Sequence, residues 1–158
     1  AAAELVADGA GAKTTLVGAG AKWSEGAGGA SGALWGAALG AAGNELGDDK
    51  PIDAAAQARA VRAMVDAIVR LGGGEVGQKT MLDAQFPFAD AFEQAAASGD
   101  AGQAWKTAAE TAVKAAADTA SMEPTLGRAK VLSKKSIGQP DPGAVSFSIA
   151  ATVVAELF

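Results

Sequence analysis

Glycine recurs at positions 28, 32, 36 and 40, inside GGASGALWGAALGAAG (28–43), a stretch without a single charge. Four-residue spacing keeps these glycines on one side of a helix. Each glycine in a helix interior costs about 1 kcal/mol relative to alanine. A chain that bears this cost repeatedly must recover it by close approach, either of another helix backbone or of a ligand. For Gly36 and Gly40, well inside the helix, packing is the expectation. Gly28, Gly29 and Ser31 stand at the helix entrance, where packing needs glycine least and a ligand needs backbone access most; there ligand approach is favoured.

The rest of the composition fits a core built this way. Apolar residues make up 49% of the 158 residues but aromatics only 5%. A core of small side chains needs many helices set close together. The charged fraction of 20% and net charge of −5 suit a folded domain and argue against a partner recognised through its phosphate backbone, so no nucleic-acid binding is expected. Cysteine, histidine and tyrosine are absent, which excludes disulfides, thiolate zinc sites and imidazole acid–base chemistry. Residues 26–43 are long and uncharged enough to be weighed as a membrane span. Gly and Ala insert poorly and no aromatic or basic belt flanks the run, so no membrane partner and a cytoplasmic location are expected. The chain opens on Ala-Ala-Ala without Met, and its natural N-terminus is expected upstream.

Helical periodicity runs through nearly every segment. Helices are predicted over 10–24, 28–43, 53–71, from Thr80 through Phe92, from Asp100 to about Met122, and from Asp141 onward. Val61, Val65 and Ile68 share one face. Pro87 should kink or divide its helix. Lys106, Glu110, Lys114 and Asp118 form an exposed row, with Trp105, Ala109, Ala112, Val113, Ala116 and Ala120 opposite. Asp141-Pro142 is an N-cap followed by proline at the first helical position. The last helix has no charge before Glu156 and should be buried around most of its circumference. No stretch alternates with period two. The fold class is all-α: a single-domain barrel or bundle of antiparallel amphipathic helices spanning 1–158.

Three loops precede helix starts: GGASG, GGGEVGQKTM (72–81) and SIGQPDPGA (136–144). In an up-and-down arrangement such loops can gather at one end and offer free N–H groups to phosphates. Gly72 to Thr80 nearly matches a phosphate-binding P-loop, but Gln78 is one residue too many and a helix, not a strand, precedes it, so a P-loop fold is rejected. Arg128 and Lys130, Lys134 and Lys135 are either a solvated basic loop or, for the arginine, a phosphate contact.

The stretches GGASGALWGAALGAAG, VGQKTMLDA (76–84) and GRAKVLSKKSIGQPDPGA (127–144) resemble, in order and spacing, the ADP-binding L domain of dihydroxyacetone kinases. That resemblance implies an antiparallel helical barrel with ATP or ADP bound at one end. It implies that Ala30 and Ser31 contact phosphate, that Gly72 borders the nucleotide, that Met81 packs against adenine, and that Thr80 and Lys79 stand beside the pocket. Arg128 and the Asp141-Pro142-Gly143 turn would close the pocket. It further implies a separate K domain that holds dihydroxyacetone; a homodimer stays open.

Departures from the family pattern are Gln78 for Asp, Gln139 for His and Lys134-Lys135 for Glu-Arg. The family's three-aspartate loop for Mg2+ has no match; Asp8-Gly9 lies too close to GGASG, and the magnesium ligands are expected upstream of residue 1. No catalytic residue is assigned to this chain. Two other readings stay open: the nucleotide domain of a fatty-acid kinase, and a catalytically inactive interaction domain.

Overall fold

The computed structural model describes residues 1–126, 130 and 133–158. Among the described residues there is no strand. The helices are α1 (Ala2–Ala7), α2 (Ala12–Gly26), α3 (Gly29–Leu46), α4 (Ala54–Gly72), α5 (Leu82–Ala96), α6 (Ala101–Asp118) and α7 (Pro142–Ala155), with 3-10 turns at Thr119–Ser121 and Ser133–Ser136. The chain divides into two compact units, Ala1–Gly73 and Gly74–Phe158. The division falls in the glycine-rich stretch that ends α4.

In the first unit, α2 and α3 run antiparallel with their backbones in close approach. A Cβ on Gly20 would come within 2.7 Å of the Gly36 carbonyl oxygen, and one on Gly36 within 2.8 Å of that of Gly20. Further along, a Cβ on Gly43 would lie 3.0 Å from the Lys13 carbonyl oxygen. Gly36 is thus a packing glycine, as its spacing predicted. Gly40 is not: a Cβ there would meet nothing within 4 Å. Gly32 has a third role, since a Cβ would overlap the carbonyl oxygen of Ala27 in the turn leading into α3. Period four identifies the side of the helix, but the partner touches only part of it.

The start of α2 is capped from a distance. Its N-cap, Gly11, has no side chain to offer. Asp48, in the loop after α3, accepts from the Thr14 amide at 2.9 Å and the Thr14 hydroxyl at 2.9 Å. These bonds hold the exposed Asp48 carboxyl below its usual range. A Cβ on Gly11 would overlap the Asp48 side chain. Helix α4 follows its sequence signals: the Asp53 carboxylate accepts from Ala56 N–H at 2.7 Å, Val61, Val65 and Ile68 are buried, and Gly73 ends the helix in the left-handed region at φ 66°. Arg59 pairs with Glu45 at 2.8 Å while Gly72 lies against Leu34, so α3 and α4 are also antiparallel.

The second unit has an aromatic centre. Phe88 packs edge-on to Phe147 with centroids 5.2 Å apart, and Phe92 edge-on to Trp105 at 5.1 Å. Pro87 leaves α5 undivided; the helix runs from Leu82 to Ala96 through it. Helix α6 begins on Asp100, whose carboxylate accepts from Gln103 N–H at 2.9 Å. Its predicted polar row is exposed, but Val113 is exposed too. Helix α7 differs from expectation. Its buried residues, Ala144, Phe147, Ser148, Ala151 and Ala155, form one stripe, whereas Ile149 and Val153 are 60% and 54% exposed. The absence of charge measures how apolar a helix is, not how much of it is covered. No helix among the described residues is long and apolar enough to cross a membrane.

Candidate functional site

The starts of α5 and α7 lie side by side. A Cβ on Gly143 would sit 3.3 Å from Met81 Cβ and 2.9 Å from Asp141 Oδ2. Of the residues singled out in the sequence, Met81, Asp141 and Gly143 are therefore brought together. Thr80 precedes Met81 and is half-buried; Pro142 is exposed at the first position of α7. Only a residue without a side chain fits at Gly143 while the Asp141 carboxylate turns in to accept from Ala144 N–H at 2.8 Å. The Asp141 amide in turn donates to the Thr119 hydroxyl at 2.7 Å, and that hydroxyl donates to the Ala116 carbonyl at 2.6 Å. These bonds tie the α7 cap to the end of α6.

The turn before α5 is equally constrained. Asp83 is buried, and its carboxylate accepts from the amides of Gly77 and, at 2.7 Å, of Thr80. Gln78 accepts from the Glu75 amide through its side chain at 2.9 Å, so the residue that interrupts the P-loop spacing shapes the turn. Lys79 is 3% exposed and, at φ 57°, is the one non-glycine with positive φ among the described residues. That conformation costs about 1–2 kcal/mol for a residue with a Cβ. Its ammonium donates to the carbonyls of Ser136 at 2.7 Å and Met122 at 3.1 Å. Burial pushes the Asp141 carboxyl above the usual carboxylate range, and the nearby Asp83 charge adds to this. The amides of Ala144 and Gly143 and the Lys79 ammonium pull it back.

The other singled-out residues belong to the first unit. Ala30 and Ser31 are exposed in the first turn of α3. That helix starts on Gly28, so no side chain caps its first amides, and those N–H groups are open to an anion. Gly29 enters the turn at φ 79°, a conformation suited to glycine. Gly72 lies beside Leu34, three residues beyond Ser31 on α3. Arg128 lies outside the described residues.

Asp83 and Thr119 were missed as organisers of this region, and Lys79, expected beside the pocket, was not foreseen to be buried with its ammonium on two carbonyls. Lys79 and Asp83 both stand in the VGQKTMLDA motif, but lysine and aspartate in a glycine-rich turn carry no sequence signal of burial. Among the described residues no three His, Cys, Asp or Glu side chains come together. Asp83 and Asp141 are already engaged by backbone amides, so the donors present do not fit a magnesium centre.

Comparison with known proteins places the chain among relatives. The sequence model of the DAK2 domain matches residues 1–156, across both units. D-erythrulose kinase of Mycolicibacterium smegmatis is 45% identical over 157 residues, which cover 99% of this chain and 27% of the relative. The ADP-binding subunit DhaL of the PEP-dependent dihydroxyacetone kinase 1 of Listeria innocua is 33% identical over 77% of this chain and 56% of its own length. The crystal structure of the dihydroxyacetone kinase of C. freundii in its native form superposes with a TM-score of 0.69 at 23% identity, over 94% of this chain and 24% of that one. The chain thus spans about a quarter of the length of the erythrulose kinase it matches.

Proposed function

The chain belongs to the DAK2 domain family, and on that premise we propose that it is the nucleotide-binding domain of a ketose kinase, holding ATP or ADP and presenting the phosphoryl group to a ketose held by a separate K-type domain. The observation that carries the reading is that the family match spans both the open N-terminus of α3 and the paired starts of α5 and α7. The printed name of the Listeria relative, an ADP-binding subunit, supports the ligand. That of the Mycolicibacterium relative makes erythrulose the first ketose to test in the whole protein.

Phosphoryl transfer depends chiefly on positioning and charge stabilisation, which suits a domain that offers uncapped amides at a helix start. In this reading the amides of Ala30 and Ser31 and the Ser31 hydroxyl take phosphate oxygens at the positive end of α3. Gly72 borders the nucleotide. Met81 packs on adenine beside Thr80, and Asp141, Pro142 and Gly143 wall the same end of α7. Arg128 is assigned a phosphate contact. No step is routed through magnesium, since the described carboxylates offer it no site.

Calorimetry with ADP tests the proposal. The wild-type chain binds, and Ser31→Leu, which removes the hydroxyl and fills the space before the amides, weakens ADP by more than about tenfold with helicity unchanged. Equal affinity in the two proteins counts against the phosphate site. A folded wild type that ignores ADP favours an interaction domain instead.

A further inference from the structure

Lys79 is given no contact with the ligand in the function proposed above, yet three observations constrain it. It is buried, its backbone occupies the left-handed region, and its ammonium reaches two carbonyls far along the chain, those of Met122 and Ser136. An observed backbone outlier at such a place points towards function rather than away from it. The two residues that follow are Thr80 and Met81, and Met81 lies against Gly143 at the start of α7.

We propose that Lys79 is the positioning residue of the adenine side of the site: its ammonium clamps the Gly77–Met81 turn to the ends of the two 3-10 turns and thereby fixes Met81 opposite Asp141 and Gly143. The proposal rests on the nucleotide-binding reading. Three chain segments meet at one cation. Met122 follows the Thr119–Ser121 turn that anchors Asp141 through the Thr119 hydroxyl. Ser136 ends the second 3-10 turn, and two residues on, Gly138 N–H donates to the Ala120 carbonyl at 2.8 Å. The Asp83 carboxylate fixes the other side of the same turn through the amides of Gly77 and Thr80.

Without the ammonium, the Met122 carbonyl loses this donor, the Ser136 carbonyl keeps only such contacts as the Gln139 amide at 3.2 Å, and the turn loses its tie to the two 3-10 turns. Met81 then loses that support, whereas neither bond of the ammonium reaches α3. The loss therefore falls on the nucleoside part of the ligand, and adenosine and ADP suffer equally.

The test is titration of the 158-residue chain with adenosine and with ADP, far below the melting temperature. Lys79→Met, which keeps the aliphatic stem and removes the charge, weakens both ligands by the same factor, about tenfold or more. Phe92→Leu, a destabilising change in the aromatic centre of the same unit, keeps wild-type affinity, which separates positioning from loss of stability. Lys79→Gln is measured by the same criteria should Lys79→Met fail to fold. Affinity within about twofold of wild type for the lysine variant, a loss confined to ADP, or an equal loss in Phe92→Leu each overturns the proposal and leaves the nucleotide-binding reading standing. A wild type that binds neither ligand overturns both.

Discussion

The two units hold their helices together in different ways. In Ala1–Gly73 the helices α2 and α3 approach until only hydrogen can stand at Gly20 and Gly36, and polar contacts such as Asp48 with Thr14 and Arg59 with Glu45 lie at the surface. In Gly74–Phe158 the centre is made of large rings, and every buried polar residue among those described, Lys79, Asp83, Gln85, Thr119, Asp141 and Ser148, belongs to this unit. Backbone-to-backbone packing gains dispersion over many small contacts and needs no side-chain order. A buried polar network is stable only when its members are paired, and in return it fixes one arrangement of the turns that carry it. The difference suits the proposed roles: the first unit presents bare amides, and the second sets particular side chains in place.

Substitutions sharpen this contrast. The largest effect is expected in the second unit. Phe92 is completely buried between Phe88 and Trp105, and Phe92→Ala should cost about 3–5 kcal/mol in denaturant melts. Within the first unit two glycines of the same stripe should respond with opposite signs. Gly36→Ala forces α2 and α3 apart and costs about 1–3 kcal/mol. Gly40→Ala meets open space and gains up to about 1 kcal/mol from helix propensity. Destabilisation by both, or by neither, would break the account of the α2–α3 contact.

The smallest effect lies in acid titration. The Asp48 carboxyl is held low, so its stabilising contribution is present above the ordinary carboxylate range and is lost as pH falls through the depressed folded value. The Asp141 carboxyl is pushed up, so the folded state holds its proton more tightly than the unfolded chain, and stability from this group declines as pH rises from about 4. Melting temperatures of wild type, Asp48→Asn and Asp141→Asn from about pH 3 to pH 7 should show the opposite slopes. The advantage of wild type over Asp48→Asn shrinks on acidification, whereas its standing against Asp141→Asn worsens on neutralisation. Slopes of the same sign would show that the two carboxylates do not differ in environment.

Much of the fold was legible because the signals are local. Asp141 is the cap that the sequence marked, Asp53 and Asp100 cap helices at the predicted starts, and the spacing of Val61, Val65 and Ile68 found the buried face of α4. Helix α1 was missed, since six residues of Ala, Glu, Leu and Val show no periodicity to detect. The candidate site was only partly legible. The motif brought attention to Met81, Asp141 and Gly143, which do adjoin, but spacing alone did not reveal that Lys79 and Asp83 are buried. It also could not show that Asp48 caps a helix 34 residues earlier.

By itself the sequence determined the helical class, most helix limits and the family, because propensity, capping and motif spacing are properties of neighbouring residues. Tertiary structure alone decided which glycine of an even stripe touches another helix, which face of an uncharged α7 stays bare, and which lysine is buried against distant carbonyls. Those outcomes depend on what lies across from a residue after the chain has folded back, and a four-residue period holds no record of the partner.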